Sequence, residues 1–159
     1  MRAAALSLHE LSCLCGGARR AVVTAVLALC QSGQLEIGAD GRAHRLDQPN
    51  SAELDLIEQA VLAAVPVGPF ELSSIVEAVA GSSGMRQTRA MLVARGLAPK
   101  WLPGLTRTGR RARREVLANP PEGLRRVAVL GPEAIEDAQL RRTLEGLTLT
   151  PCQTVELTA

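Results

Sequence analysis

The sequence repeats one pattern, in which an apolar helix ends at a glycine and a short β-strand follows at once. In the first copy Ala18–Cys30 is followed by Gly33, and in the second Met85–Val93 is followed by Gly96. Glycine just beyond a helix adopts the left-handed conformation that ends it. The pattern is typical of winged-helix units, in which a small bundle of helices carries a β-hairpin, the wing. We therefore expect a mainly α fold with small β-wings.

Linkers divide the chain of 159 residues into three parts. The first linker is the Asp-Gln-Pro-Asn segment at 47–50. The second linker is Asn119–Pro121, where two prolines end a basic helix. The sequence predicts two tandem winged-helix-like units followed by a C-terminal strand–helix element, at residues 1–47, 51–118 and 122–159.

Local signals give the element boundaries within the first unit. Ser7 and Glu10 form a capping box, so a helix begins near Leu8. That helix should stop at Gly16–Gly17, and a second helix should run to about Ser32. Two short runs, 34–37 and 42–46, then read as the hairpin of the wing.

The second and third parts carry three further predictions. After Gly96 we expect a short, degenerate wing strand ending near Trp101, because prolines on both sides cannot donate to a ladder. Thr106–Leu117 should form a basic helix. Arg125–Leu130 is rich in valine and reads as a strand, and Glu133–Leu144 reads as a helix that Asp137 could restart as an N-cap.

The residue inventory argues against catalysis. Only His9 and His44 could act as bases near neutral pH, and neither accompanies a nucleophile motif. We assign both histidines surface or capping roles. Cys13 and Cys15 are two apart on a predicted helix and point to different sides, which is poor geometry for a shared metal. We predict a protein that is not an enzyme and that holds no metal and no cofactor.

Composition also bears on the compartment. The sequence has no run of about 18 uncharged apolar residues, so we expect no membrane span. The apolar start is too short for a signal peptide before His9 and Glu10. The cytoplasm is the expected location, with cysteines that are reduced and act as small apolar residues.

DNA binding is the alternative function, since winged helices often place a helix in the major groove. The formal net charge is only +2, and Phe70 and Trp101 are the only aromatic residues, so stacking on bases has almost no candidates. The basic helix could nevertheless grip phosphates, lie in solvent or bind an acidic partner protein. Its arginines are Arg107, Arg110, Arg111, Arg113 and Arg114.

Peptide recognition is the third possibility. A strand edge can pair with an extended peptide through the backbone, while pockets beside alternate residues select side chains. The wing strand offers Arg42, His44 and Leu46 for this purpose, and the predicted C-terminal strand offers Val127 and Val129. The second strand is apolar on both faces, so it could equally be a buried internal strand.

The opening of the chain resembles an actinobacterial domain family of unknown function. The family shows a Glu-Leu-x-x-Leu-x-Gly-Gly-x-Arg-Arg-Ala pattern, and this chain has Glu10-Leu11, Leu14, Gly16-Gly17 and Arg19-Arg20-Ala21 at those positions. Residues 28–35, 127–131 and 137–141 are also similar to the family.

The resemblance implies a function through neighbouring genes. Genes of this family often lie beside genes for multinuclear non-haem iron oxidative enzymes that modify ribosomally made peptides. Partner proteins of such enzymes typically have a winged-helix-like fold that recognises the precursor peptide. We therefore expect a non-catalytic partner that recognises a ribosomally synthesised precursor peptide and presents it to an iron-dependent peptide-modifying enzyme, with a winged-helix DNA-binding regulator as the alternative.

Overall fold

A computed structural model of the protein describes residues 5–47, 53–65 and 68–148. The described part is mainly helical, with a small antiparallel sheet, which confirms the coarse prediction of a mainly α fold with little β. The helices are α1 (Leu8–Gln31), α2 (Leu56–Ala64), α3 (Leu72–Ala80), α4 (Ser83–Ala94), α5 (Arg107–Ala118), α6 (Leu124–Leu130) and α7 (Ala138–Thr148). The strands are β1 (Leu35–Ile37), β2 (Arg42–Arg45) and β3 (Phe70–Glu71).

Helix α1 is the central element and consists of two arms. The Ser7 hydroxyl accepts a hydrogen bond from the Glu10 amide, and the Glu10 carboxylate accepts one from the Ser7 amide, so the predicted capping box is confirmed. The helical conformation is interrupted at Gly17, with φ of 76° and ψ of −168°. A side chain would strain that conformation, which only glycine adopts readily. The predicted break at Gly16–Gly17 is therefore confirmed.

The two arms of α1 enter two different hydrophobic clusters. The N-terminal arm, with Leu11 and Leu14, packs with residues of α4, α5 and α6 in what we call the first core. The C-terminal arm, from Ala21 to Leu29, packs with residues of α2, α3, α7 and the sheet in the second core. The break at Gly17 thus separates the two cores along α1, and α4 and α6 contribute side chains to both. The proposed division at residues 47–51 and 118–122 stays a prediction.

The sheet follows the order β1-β2-β3, with β2 in the middle. The β1–β2 hairpin is confirmed, with Glu36 opposite His44 and Ile37 opposite Ala43. The third strand was not expected. It pairs Phe70 with Ala43 and Glu71 with Arg42, so it covers the first two residues of β2 on the side away from β1.

The predicted strand at Arg125–Leu130 is wrong, because this segment is helix α6. Its glycine caps, Gly123 and Gly131, have φ of 63° and 88°. Val127, Ala128 and Val129 are all buried, and α6 packs along α1. Valine favours strands only weakly by itself, and packing of three apolar residues against a long helix outweighs that preference.

The predicted strand after Gly96 is also wrong, because no strand forms between α4 and α5, all of which the structure describes. Arg89 instead donates to the carbonyl oxygens of Pro99 and Leu102 and holds the segment as a loop.

The basic helix is confirmed as α5, with Thr106 as its N-cap. The predicted helix from Glu133 is split: Pro132–Ala134 forms a 3-10 turn, and Asp137 caps α7 as expected. The winged-helix arrangement itself stays a prediction.

Candidate functional site

The predicted peptide-binding residues of the wing lie on the central strand. Arg42 is exposed, and its guanidinium lies 3.9 Å from the carboxylate of Glu71 on β3. His44 and Leu46 are half-buried. Because β1 covers one side of β2 and β3 covers part of the other, a peptide cannot add along the whole of β2. Sequence reasoning missed β3 because it is two residues long and pairs across about 27 residues of chain.

The free edge of the sheet is the outer side of β1. Gly38 donates its amide hydrogen to the Arg42 carbonyl at 2.8 Å, and Leu46 donates to the Gln34 carbonyl at 2.9 Å. Hydrogen-bonding positions in an antiparallel strand alternate, so the backbone groups of Leu35 and Ile37 face away from β2. No strand in the described part of the chain lies on that side.

A groove runs between this edge and helix α7. Its volume is about 420 Å³. Residues 35–39 and Cys30 form one wall, and α7 with its cap forms the other through Asp137, Gln139, Leu140 and Thr143. None of these described lining residues is Lys or Arg, whereas Glu36 and Asp137 are both exposed acids. The groove therefore combines a strand edge, small apolar surfaces and a negative rim.

Cys30 in the groove wall is a thiol at neutral pH. Burial, reinforced by the neighbouring Glu36 carboxylate, raises the pKa of Cys30 from 9.0 to about 11. Burial also raises the pKa values of Cys13 and Cys15. Because the thiolate is the reactive form, these three cysteines act as small apolar side chains, as their composition suggested.

The two valines predicted to lie on a strand edge cannot serve there. Val127 and Val129 are buried on α6, and the backbone of α6 is occupied by its helical hydrogen bonds. The Val129 carbonyl also accepts a hydrogen bond from Arg20 at 2.8 Å. Through this hydrogen bond, Arg20 links the break in α1 to the end of α6. Its burial lowers the pKa of the guanidinium. Val127 and Val129 are therefore packing residues.

The five arginines of the basic helix are all exposed, as a solvated or partner-binding face requires. Gly109, Ala112 and Val116 form the opposite, buried face of α5. Among the arginines, Arg111 forms an ion pair with Glu115 at 3.0 Å. The loop before α5 adds Trp101, which is 85% exposed, and Leu102, which is 67% exposed. Sequence reasoning had placed Trp101 at the end of a strand, so it missed this surface feature.

One of the two histidines, His9, does not have the surface or capping position that we expected. His9 is buried, and its Nε2 lies 3.0 Å from the carboxylate of Glu58 on α2, so its surface or capping role was wrong. This contact joins α1 to α2. Across the described residues no group of three or more His, Cys, Asp or Glu side chains could hold a metal ion. The expected absence of catalysis, metal and cofactor stays a prediction.

Helix α1 has a second property that bears on location. By length and composition alone its 24 residues could cross a membrane, although 56% of its most apolar stretch is buried inside the protein. A core helix of a soluble protein passes the same test.

Comparisons with family models, with curated proteins and with solved structures find no match for this chain. The iron-enzyme partner, the DNA-binding alternative and the cytoplasmic location therefore stay predictions.

Proposed function

We propose that this protein binds an extended precursor peptide by strand addition at the outer edge of β1 and presents it to a multinuclear iron oxidative enzyme. The observation that carries the proposal is the outer β1 edge, which no strand of the described residues covers and which faces an open groove. A peptide strand there would pair with the backbone groups of Leu35 and Ile37, which point away from β2. Such pairing supplies affinity for any extended sequence.

The groove also supports a choice of peptide. Side chains of a bound strand alternate, so every second one would point toward α7, where Leu140 and Thr143 form the wall. A small apolar side chain fits between the two walls, because Cys30 on one wall and Leu140 on the other are apolar. Glu36 and Asp137 favour a peptide with Lys or Arg beside that residue.

A second hollow continues the groove past the first turn of α7. It measures about 840 Å³ and shares Cys30 and Leu140 with the groove. Its other walls come from α1, α6 and the 3-10 turn. A peptide longer than the three residues of β1 could place a further side chain there.

The choice of enzyme rests on the resemblance of the opening motif. Arg19 and Arg20 of that motif have structural contacts. Arg19 forms an ion pair with Glu77 and donates to the Leu147 carbonyl at 3.2 Å, which ties α7 to α1 and α3. The motif thus supports the frame that holds the groove, and the groove remains available for the peptide.

The test is calorimetry of the full protein against synthetic precursor peptides encoded beside its gene. We expect binding of at least one peptide, and we expect N-methylation of alternate peptide amides to abolish it while methylation of the intervening amides does not. This pattern is the signature of one-sided strand pairing. Equal effects of both methylation patterns, or no binding of any peptide with or without the neighbouring enzyme, would reject the proposal.

Two protein variants test the location. Gln139→Phe fills the groove from α7 and should abolish peptide binding, whereas Arg142→Phe changes an exposed residue of the same helix that does not line the groove. Ile37→Pro removes an outward-facing amide and leaves the Gly38–Arg42 hydrogen bond available. We expect Ile37→Pro to lose peptide binding and to keep the helical circular dichroism of the parent.

A further inference from the structure

We propose that the loop Lys100–Gly104 and the arginine face of α5 bind the surface of an anionic lipid bilayer. The charge distribution is the first observation. Residues 78–114 contain nine of the 18 Lys and Arg residues of the chain and none of its 16 acidic residues. A segment of this kind is attracted to a leaflet of anionic lipids and held within a Debye length of it.

The second observation is the apolar tip that the loop presents among these cations. All five residues from Lys100 to Gly104 are exposed, and Trp101 and Leu102 are the two most exposed large apolar residues of the described chain. Tryptophan favours the headgroup region of a bilayer, and leucine favours the acyl chains below it. Lys100 lies over the Trp101 ring, with 5.0 Å between its Nζ and the ring centroid.

The loop is held in place at both ends, so the tip is presented as a fixed shape. Arg89 donates to the Leu102 carbonyl at 2.8 Å, and Arg110 donates to the Leu105 carbonyl at 3.2 Å. Thr106 donates from its amide to the Leu97 carbonyl at 3.0 Å. These contacts also place two guanidinium groups beside the tip.

The apolar tip distinguishes between the kinds of partner that could bind the positive charge of this surface. A nucleic acid would use the arginines and could stack a base on Trp101, but its phosphate backbone gives Leu102 no partner. A stable protein complex buries about 800 Å² on each partner around a shaped apolar centre, and two side chains on a loop supply far less. A bilayer uses every feature of this surface, because it needs no complementary shape.

The chain has a built-in reporter, since Trp101 is its only tryptophan. The experiment mixes the full protein with vesicles of phosphatidylglycerol and phosphatidylcholine in equal parts, and with vesicles of phosphatidylcholine alone. We expect the anionic vesicles to shift the tryptophan emission to shorter wavelength and to carry the protein in flotation. Both effects should weaken steeply as salt is raised.

Paired variants locate the charge. Arg107→Gln/Arg114→Gln removes two cations of the α5 face and should weaken binding to anionic vesicles by about thirtyfold. Arg126→Gln/Arg142→Gln removes two exposed cations elsewhere and should leave it within about twofold. Leu102→Ser keeps the reporter and should reduce the emission shift and weaken binding by about tenfold.

Several results would overturn the proposal. They are the absence of an emission shift with anionic vesicles, equal binding to neutral vesicles, and equal losses in the two double variants. Tighter binding of a mixed-sequence single-stranded oligonucleotide, with quenching of Trp101 emission, would assign the surface to nucleic acid instead. Peptide binding at β1 is measured separately without vesicles, so either proposal can fail while the other holds.

Discussion

The two halves of the molecule carry surfaces of opposite character. In the half built on the C-terminal arm of α1, the groove beside β1 has exposed Glu36 and Asp137, and none of its described lining residues is Lys or Arg. In the half built on the N-terminal arm, α5 and its preceding loop carry Lys100 and five arginines around an apolar tip. The net charge of +2 hides this separation, because it averages over both surfaces.

As proposed, one small chain offers two binding surfaces that do not compete for a ligand. A basic peptide is favoured at the groove and repelled by α5, whereas an anionic surface is favoured at α5 and repelled by the groove. Different cores lie beneath them, although α4 and α6 contribute side chains to both. Substitutions in one core should therefore affect one surface more than the other.

The largest effect is expected for Leu144→Ala in the second core. Leu144 is fully buried on α7, so the truncation should lower the free energy of unfolding by about 2–5 kcal/mol. Urea unfolding measures the loss, with Arg142→Ala, an exposed neighbour, as the control. In conditions where the variant is still folded, its vesicle binding should match the parent, while its peptide binding falls. A parallel loss of both would contradict independent halves.

A smaller loss is expected for Gly109→Ala in the first core. A β-carbon at Gly109 would overlap the carbonyl oxygen of Leu97, a backbone atom that cannot rotate away. We expect a destabilisation of about 1–3 kcal/mol in thermal or urea unfolding, with weaker vesicle binding and unchanged peptide binding.

Gly146→Ala is the matched control on α7. No atom of the described residues lies within 4 Å of the added carbon, so the variant should be stabilised by about 0.5–1 kcal/mol, as expected for alanine in a helix. Equal destabilisation by the two alanine substitutions would show that the Leu97 contact is not the cause.

Alkaline pH should act on the groove half through Cys30. An ordinary cysteine thiol has a pKa of 9.0, whereas the pKa of Cys30 in the folded protein is about 11. Between these two pH values the folded state therefore keeps a proton that the unfolded state releases. The stabilising contribution is complete below about pH 9 and falls as the pH rises to about 11. Cys30→Ala should flatten this decline in unfolding midpoint, and an unchanged slope would place its origin in other groups.

The smallest effect is expected for Arg111→Ala on α5. Its ion pair with Glu115 is exposed, so the variant should lose only about 0.2–0.5 kcal/mol of stability. The same substitution removes a cation from the proposed lipid-binding face and should weaken vesicle binding severalfold. A large loss of stability with unchanged vesicle binding would make Arg111 a structural residue.

Features that depend on neighbours within a few residues could be predicted from the sequence. The start of α1 at the capping box, its break at Gly17, the β1–β2 hairpin, the basic helix α5 and the cap at Asp137 all follow from local hydrogen bonds and glycine conformations. These signals act over three or four residues, so they can be read without knowing the rest of the fold.

Tertiary structure decided the features that depend on distant partners. Residues 124–130 became a helix because α1 supplies an apolar surface for them, and β3 reached β2 from 27 residues away. The free edge of β1 and the exposed position of Trp101 follow from what the rest of the chain covers and leaves open. Burial and strand pairing are properties of the assembled chain, and local preferences are too weak to fix them.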